Sequence, residues 1–305
     1  MVKNSKILVA GGTGFIGSNL IVELISKGNK VISLSTCHNK KINNEAVYIY
    51  HDLTKPIKEK QVKFFSDVDY IVNCSGYIDH RSFLNGGEEV FFNHFKALYS
   101  LVNLAINIKA KALIHIGSSD EYGINGSPLN EKIRESPQSP YALGKVSSTH
   151  YLQQCYKQGI LNTVIIRPFL IFGEGQNKQR LLPYLIYNCL NDSEFKVSLG
   201  EQIRDYLYIK DFNSALIKAL DNNNAYGEVI NIASGIPISI REVVETVKDI
   251  IGKGKPIFGG LDYRQGESME LYANIDKAKR ILNWEPKYKF KETLEKVIDW
   301  YKKSN

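Results

Sequence analysis

Short apolar runs alternate with longer periodic segments through the first half of the chain. Runs that are apolar throughout are typical of strands buried on both faces of a parallel sheet. Segments in which apolar side chains recur at helical spacing predict helices between them. The predicted strands cover 7–10, 30–35, 47–53, 70–76 and 112–117, and the clearest helices cover 19–27 and 88–108. This alternation predicts an α/β fold built on a doubly wound parallel sheet.

A glycine-rich turn separates the first predicted strand from the first predicted helix. It contains Gly11, Gly12, Gly14 and Gly17. The early glycines permit a tight turn and let the backbone approach a pyrophosphate, while Gly17 lets the helix pack closely against the strand. The helix N-terminus offers free N–H groups to the phosphates. Strand, glycine turn and helix in this order predict the phosphate-binding unit of a Rossmann fold, and a glycine-rich turn in another α/β protein is the alternative.

The pattern changes beyond Phe169. Helices are predicted over 181–190, 240–251, 275–282 and 290–303, with a short strand over 195–199. We therefore predict an NAD(P)-binding Rossmann domain over residues 1–168 and a smaller mixed α/β lobe, mainly for the substrate, over residues 169–305. Residues 206–234 are expected to cross back to the large sheet.

The end of the second strand predicts the type of cofactor. An acidic residue about 20 positions after the glycines would hold the ribose 2′-hydroxyl of NAD. This chain has Ser35, Thr36, His38 and Lys40 there, and its next carboxylate is Glu45. Hydroxyls and cations suit a 2′-phosphate, so the pattern favours NADP(H). NAD(H) stays an alternative, because the segment lacks arginine and an ordinary polar loop would look the same.

Two further strand ends face the expected cofactor path. Asp52 ends the third predicted strand, where a carboxylate can accept a hydrogen bond from the adenine amino group, although a turn aspartate is an equal alternative. Cys74, Ser75 and Gly76 end the fourth strand with small side chains beside the expected pyrophosphate.

Two polar stretches after the fifth strand carry the candidate chemistry. Residues 117–123 lie at the carboxyl ends of the strands, where open parallel sheets bind ligands. Pro140 near a helix start places Tyr141 and Lys145 four positions apart on one helical face. The cation is expected to lower the tyrosine pKa, so that Tyr141 exchanges a proton with a sugar oxygen. The same spacing at Tyr206 and Lys210 falls in a predicted strand, where the two side chains lie too far apart to couple.

Composition and charge exclude several classes of protein. The 305 residues are 43% hydrophobic and 23% charged, which is ordinary for a globular protein. The net charge of +7 comes from lysines spread along the chain, so neither a nucleic-acid partner nor a membrane partner is predicted. The four cysteines lack the spacing of metal ligands or of a disulfide framework, which predicts reduced thiols, a cytoplasmic location and no metal site.

Together these motifs resemble those of extended short-chain dehydrogenases/reductases of the nucleotide-sugar epimerase/dehydratase type. The shared pieces run in the family's order over nearly the whole chain: 11–17, Asp52-Leu53, Asn93, Ser118, Tyr122-Gly123, Tyr141-x-x-x-Lys145, 167–176, 204–211, 231–235, Arg264 and 282–286. The resemblance implies a nucleotide-sugar substrate. It also implies a homodimer held by a four-helix bundle from the helices that begin near Glu88 and Tyr141.

The motifs and the resemblance define the candidate site residues. The catalytic candidates are Ser118, Tyr141, Lys145 and Asp120. The cofactor-binding candidates are Gly11, Thr13, Gly14, Phe15, Ile16, Gly17, Ser35, Thr36, His38, Asp52, Leu53, Cys74, Ser75, Gly76, Asn93, Tyr141, Lys145, Pro168 and Phe169. The substrate-binding candidates are Ser119, Asn177, Arg180, Leu182, Arg204 and Arg264. Arginines grip diphosphates bidentately, and a surface ion pair is the alternative role for each.

The resemblance implies hydride transfer at a sugar carbon, usually C4, with several net reactions. Ser118 is followed by Ser119 and Asp120, whereas dTDP-glucose 4,6-dehydratases have Asp-Glu and GDP-mannose 4,6-dehydratases have Ser-Glu. The loop resembles that of reductases acting on GDP-4-keto-6-deoxy sugars at least as well, and NADPH suits a reductase. We therefore predict reduction of a 4-keto (6-deoxy) sugar nucleotide at C4. A 4-epimerase is the second choice, a 4,6-dehydratase the third, and an NADP-sensing binding protein the non-enzyme alternative.

Overall fold

A computed structural model describes residues 2–37, 40–263 and 266–304 of the chain. The candidate site residues His38 and Arg264 lie outside these ranges. Strands are β1 Lys6–Ala10, β2 Lys30–Ser35, β3 Val47–Tyr50, β4 Tyr70–Asn73, β5 Ala112–Ile116, β6 Thr163–Pro168, β7 Leu170–Phe172, β8 Glu194–Val197, β9 Ile203–Tyr208, β10 Val229–Ile232, β11 Pro237–Ser239, β12 Lys255–Phe258 and β13 Glu270–Leu271. Helices are α1 Phe15–Ser26, α2 Glu59–Val62, α3 Gly87–Asn107, α4 Pro140–Lys157, α5 Leu181–Leu190, α6 Ile209–Leu220, α7 Ile240–Ile251, α8 Asp276–Leu282 and α9 Phe290–Ser304.

A seven-stranded parallel sheet in the order β10-β6-β5-β4-β1-β2-β3 forms the centre of the molecule. Strand β1 pairs with β2 on one side and with β4 on the other. The strand order therefore reverses direction at β1, and the loops after β1 and β4 open a crevice at the carboxyl ends of the strands. The predicted doubly wound Rossmann sheet is confirmed.

Strand β1 shows why its sequence is apolar without alternation. Ile7 and Val9 join an apolar cluster with helices α1 and α6, whereas Leu8 and Ala10 join a second cluster with α3 and α4. Successive side chains of a strand point to opposite faces, so helices on both faces require an apolar residue at every position.

Two small sheets lie outside the central one. Strand β9 pairs with β11, β13 and β7, and β8 pairs with β12. Strand β10 returns to the large sheet and pairs with β6. The segment 206–234 thus runs from β9 through α6 to the edge of the central sheet, while the domain boundary at residue 168 stays a prediction.

Several elements begin or end at other residues than predicted. Helix α1 begins at Phe15 rather than at residue 19, because the N–H of Ser18 already donates to Gly14 O at 2.9 Å. Strand β3 ends at Tyr50, so Asp52 does not end a strand. Its carboxylate accepts the backbone N–H of Thr54 at 3.0 Å, which forms a local turn.

Strand β4 is also shorter than predicted, and strand β9 begins and ends one residue before the strand predicted over 204–209. β4 ends at Asn73, whose side chain accepts the N–H of Ser75 at 3.0 Å. β9 ends at Tyr208, and Lys210 lies in the first turn of α6. The second Tyr-x-x-x-Lys spacing is therefore divided between a strand and a helix, with the Tyr206 side chain buried.

No helix within the described ranges is both long enough and apolar enough to cross a bilayer. The same residues contain no group of His, Cys, Asp and Glu side chains that could hold a metal ion.

Candidate active site

The glycine turn after β1 leaves a narrow space beside the start of α1. Gly11 has φ +74°, and Gly14 N–H donates to Gly11 O at 3.0 Å. A Cβ at Gly11 would lie 2.7 Å from the Cys74 carbonyl oxygen, and one at Gly17 would lie 2.4 Å from the Gly11 carbonyl oxygen. Gly14 is the N-cap of α1, and no side chain forms a capping hydrogen bond there. The turn therefore presents bare backbone and a helix N-terminus, which fits a pyrophosphate.

The loop after β2 reaches over this turn. Lys40 Nζ donates to Thr13 O at 2.8 Å, and Ser35 Oγ lies 3.5 Å from Cys37 O. Thr36 follows in the same exposed loop. The structure thus brings the polar end of β2 beside the glycine turn, as a bound dinucleotide requires.

Some of the remaining cofactor candidates lie along the crevice, and the others pack in the hydrophobic core. Cys74 N–H donates to Ala10 O at 2.9 Å, and burial raises the pKa of the Cys74 thiol to about 12, so the thiol is neutral. Asn93 Nδ2 lies 3.5 Å from the Tyr77 hydroxyl. Phe15 and Ile16 pack partly against the core, Leu53 and Phe169 are buried, and Pro168 ends β6. The Thr54 hydroxyl lowers the pKa of Asp52.

Ser118 is fixed by the turn that it caps. Its hydroxyl accepts the N–H of Asp120 at 3.1 Å, and its own N–H donates to Glu121 Oε1 at 2.8 Å. These reciprocal bonds form a capping box on the short 3₁₀ turn Ser119–Tyr122. The hydroxyl of Ser118 is thereby held directly beyond the end of β5.

Tyr141 and Lys145 are held in the first two turns of α4. Ser139 caps the helix by accepting the N–H of Ala142 at 3.1 Å, and Pro140 is its first residue. Lys145 Nζ donates to Ile116 O, the last carbonyl of β5, at 2.7 Å and lies 5.9 Å from the centre of the Tyr141 ring. The structure thus brings Ser118, Tyr141 and Lys145 together.

The net shift of the Tyr141 pKa is upward, whereas the sequence predicted that Lys145 would lower it. Burial and then the carboxylate of Asp120 raise the pKa of Tyr141, against the opposing hydrogen bond of Ser118. Burial also lowers the pKa of Lys145 to about 8. Both side chains are only 4% exposed, so desolvation of their charged forms is the largest cause of both shifts.

A buried ion pair beneath the site was missed by the sequence argument. Arg167 Nη2 lies 2.7 Å from Glu121 Oε2 and 2.7 Å from Glu135 Oε1. Thr149 Oγ1 donates to the same Glu121 oxygen at 2.8 Å. The signal available in the sequence was an arginine at the end of an apolar strand, where a buried charge requires a partner.

Asp120 faces the opening of the site. Burial raises its pKa, while His80, Arg180 and Arg204 oppose the shift and Glu121 adds to it. His80 Nε2 lies 3.7 Å from Asp120 Oδ2, a contact across 40 residues that no motif indicated. Asp120 is thus a carboxyl group of raised pKa near Tyr141.

The substrate candidates lie in different surroundings. Arg204 Nη2 lies 2.7 Å from Glu267 Oε1. In this structure Arg204 therefore forms an ion pair, which was the alternative to a phosphate contact. Arg180 directly precedes α5, and its N–H donates to Asn177 O at 2.9 Å. Ser119 is buried in its turn, and Leu182 packs in the hydrophobic core.

Residues 7–233 match the model of a family described as NAD dependent epimerase/dehydratase. The chain belongs to the NAD-dependent epimerase/dehydratase family. This membership confirms the predicted family and the prediction that the protein is an enzyme of the oxidoreductase type.

Relatives within this family align over almost the full chain. A putative UDP-glucose 4-epimerase of Methanocaldococcus jannaschii is 28% identical, over 98% of this chain and 99% of the relative. A dTDP-4-dehydro-6-deoxyglucose reductase of Escherichia coli is 24% identical, over 97% of each. The solved UDP-N-acetylglucosamine 4-epimerase of Methanobrevibacter ruminantium, in complex with UDP-N-acetylmuramic acid, has a TM-score of 0.90 and 27% identity over 100% of both chains.

We predict that Gly17→Ala weakens dinucleotide binding. The new methyl group would overlap the Gly11 carbonyl oxygen and push the turn away from α1. Overpacking of this kind costs about 1–3 kcal/mol, which corresponds to a rise in Kd of about 5- to 150-fold. Fluorescence titration with NADPH and with NADH measures the change. Gly126→Ala is the matched control, because a Cβ there meets nothing within 4 Å, and equal affinity of both variants would contradict the prediction.

Proposed function

We propose that this enzyme reduces the keto group at C4 of a nucleotide-diphospho-sugar. The support for this direction of reaction is the loop Ser118-Ser119-Asp120, which resembles that of 4-keto-sugar reductases and which its capping box holds beyond the end of β5. Burial raises the pKa of Tyr141, so it enters the reaction as a phenol, the form that donates a proton to a carbonyl oxygen.

Each side chain of the site has a separate role in this reaction. Tyr141 donates its proton to the C4 oxygen, and the hydroxyl of Ser118 orients that oxygen. Lys145, anchored on Ile116 O, stabilises the tyrosinate that remains. A reduced nicotinamide supplies the hydride when it is bound in the crevice.

The proposed substrate class rests on the relatives and on two arginines. The relatives described above are named for UDP-linked and dTDP-linked sugars. The positive charges of Arg180 and Arg204 both lower the pKa of Asp120. Both arginines are therefore assigned to the substrate side of the site. A guanidinium group matches diphosphate oxygens bidentately. On this proposal Arg204 exchanges Glu267 for a phosphate, while Ser119, Asn177 and Arg264 are further candidate contacts.

A 4-epimerase is the second candidate, because two of these relatives are named as 4-epimerases. One experiment separates the two reactions. The protein is incubated with NADPH and the UDP-, GDP-, CDP- or dTDP-linked form of 4-keto-6-deoxyglucose, and separately with UDP-glucose without added cofactor. Oxidation of one NADPH per sugar reduced supports the reductase. Conversion of UDP-glucose to UDP-galactose without net oxidation would overturn it.

We predict that Tyr141→Phe lowers kcat by about 100- to 10,000-fold, the usual contribution of a positioned acid. Binding of NADPH survives, because the ring and its packing against His80 and His94 are retained. Turnover and fluorescence titration measure the two effects. Tyr206→Phe removes the hydroxyl of the other Tyr-x-x-x-Lys spacing and is expected to keep full turnover. Loss of NADPH binding by Tyr141→Phe would contradict the assigned role.

We propose NADP(H) as the preferred cofactor, with NAD(H) as the alternative that the family description favours. Ser35 and Thr36 provide hydroxyl groups at the end of β2, and Lys40 brings a cation to the glycine turn. A 2′-phosphate is recognised by such donors.

We therefore predict that Ser35→Asp shifts the preference toward NADH. The new carboxylate repels a 2′-phosphate and can accept the ribose 2′-hydroxyl of NAD. The ratio of kcat/KM for NADPH to that for NADH is expected to fall about 10-fold, equivalent to about 1.4 kcal/mol. Ser66→Asp, on an exposed turn, controls for the added charge. An unchanged ratio for Ser35→Asp would remove the support for NADP(H).

We also propose a homodimer formed through α3 and α4. Phe92, Tyr99 and Ile106 are exposed at seven-residue spacing on α3, and α4 exposes Tyr156 beside this pair of helices. A stripe of this spacing is typical of a helix that packs against another helix.

We predict that Phe92→Glu converts a dimer to monomers, because it places a charge in the apolar stripe. Light scattering at several protein concentrations measures the mass. Val22→Glu replaces an equally exposed apolar residue on α1 and is expected to leave the mass unchanged. A monomeric mass of the unmodified protein would reject the proposed dimer.

A further inference from the structure

His80 connects the buried proton donor of the site with solvent. Its Nε2 lies 3.7 Å from Asp120 Oδ2, and its ring meets the Tyr141 ring edge-on with 5.7 Å between centroids. The His80 side chain is 45% exposed, whereas Tyr141 is 4% exposed. His80 therefore lies beside both Asp120 and Tyr141 while nearly half of its side chain is exposed.

Hydrogen bonds between the two residues that flank His80 hold its loop in place. Arg81 Nε donates to Asp79 Oδ2 at 2.7 Å, and the backbone N–H of Arg81 donates to Asp79 Oδ1 at 3.0 Å. The charges on either side of His80 thus neutralise each other. The imidazole is left to face Asp120.

A second histidine beside Tyr141 is unsuited to proton delivery. The His94 ring lies 5.1 Å from the Tyr141 ring, but its Nε2 is bonded to Tyr77 O at 2.9 Å. Burial lowers the pKa of His94 to about 4, so its ring is neutral at neutral pH, and its one N–H is donated to Tyr77 O. Of the two histidines in contact with Tyr141, His80 is the one that exchanges with water.

A reductase of the proposed kind consumes one proton from Tyr141 in every turnover. An epimerase returns the proton to the sugar within each cycle and has no such requirement. Because Tyr141 is almost fully buried, its tyrosinate needs a route for protons from the surface. An imidazole at the solvent boundary is suited to this task, because its ring can both accept and donate a proton.

We propose that His80 and Asp120 return a proton to Tyr141 between turnovers, with His80 as the residue that takes it from water. This inference rests on the proposed 4-keto reduction. Tyr141 gives its phenolic proton to the C4 oxygen, and the carboxylic acid of Asp120 then gives its proton to the tyrosinate. The imidazolium form of His80 gives its Nε2 proton to the Asp120 carboxylate and becomes neutral, and a proton from solvent restores the imidazolium.

The surroundings of Asp120 suit this role. Burial and Glu121 raise its pKa, whereas His80, Arg180 and Arg204 lower it, and the net direction is upward. A carboxyl group of raised pKa takes up a proton more easily than an exposed one, which suits Asp120 to a place between His80 and Tyr141. Since His80 acts through Asp120, it is a positioning residue for the proton rather than a group that contacts the sugar.

Stopped-flow measurement of NADPH oxidation by the His80→Ala variant tests the relay. The substrate is whichever of the four 4-keto-6-deoxyglucose nucleotides named above the unmodified enzyme reduces. The first turnover uses the proton already on Tyr141, so the burst rate stays within about twofold of the unmodified enzyme. Steady-state turnover falls about 10-fold or more, because reprotonation is slow, and added imidazole restores it. His150→Ala is the matched control: its Nε2 lies 3.6 Å from Glu135 in another histidine–carboxylate pair, and both rates are expected to persist.

A second readout does not depend on turnover. In the protein without substrate, Asp120→Asn is expected to shift the NMR signals of the His80 ring and to leave those of His150 unchanged. Equal slowing of burst and steady state by His80→Ala, a change in KM alone, or failure of imidazole to restore turnover would overturn the relay while the reductase stands. Absence of NADPH oxidation by the unmodified enzyme with all four sugar nucleotides would overturn the proposed function and the relay with it.

Discussion

The buried ion pair between Glu121 and Arg167 joins the elements that carry the active site. One oxygen of Glu121 accepts the N–H of Ser118, and the other accepts Thr149 of α4 and Arg167 of β6. Removal of one member of such a pair leaves an uncompensated buried charge, at a cost of about 3–5 kcal/mol. The position of the Ser118 hydroxyl relative to α4, and hence to Tyr141, depends on this contact.

Burial is also the dominant cause of the protonation states in the site. It raises the pKa of Tyr141 and Asp120 and lowers that of Lys145 and His94. Each shift favours the uncharged form of the group, as desolvation requires. These shifted groups lie at the edge of a sheet whose two faces are covered by helices.

Sequence patterns predicted the central sheet well because helices cover both of its faces, so each face requires apolar side chains. Strand β1 is apolar at successive positions, and the glycine turn permits contacts with Cys74 that any side chain would prevent. The patterns were less reliable where a single side chain ends an element. Asp52 and Asn73 form local hydrogen bonds that stop β3 and β4, and such competition between side chain and backbone leaves no periodic signal.

By itself, the sequence determined the alternation of strands and helices in the first half of the chain, the phosphate-binding turn, the family, and the placing of Ser118, Tyr141 and Lys145 on adjacent elements. These features depend on local spacing and on the alternation of apolar and polar residues. Only the tertiary structure decided the protonation of Tyr141, the pairing of Arg204 with Glu267, and the meeting of His80 with Asp120. The physical reason is that desolvation and charge pairing depend on which distant residues surround a group, and spacing along the chain does not record those neighbours.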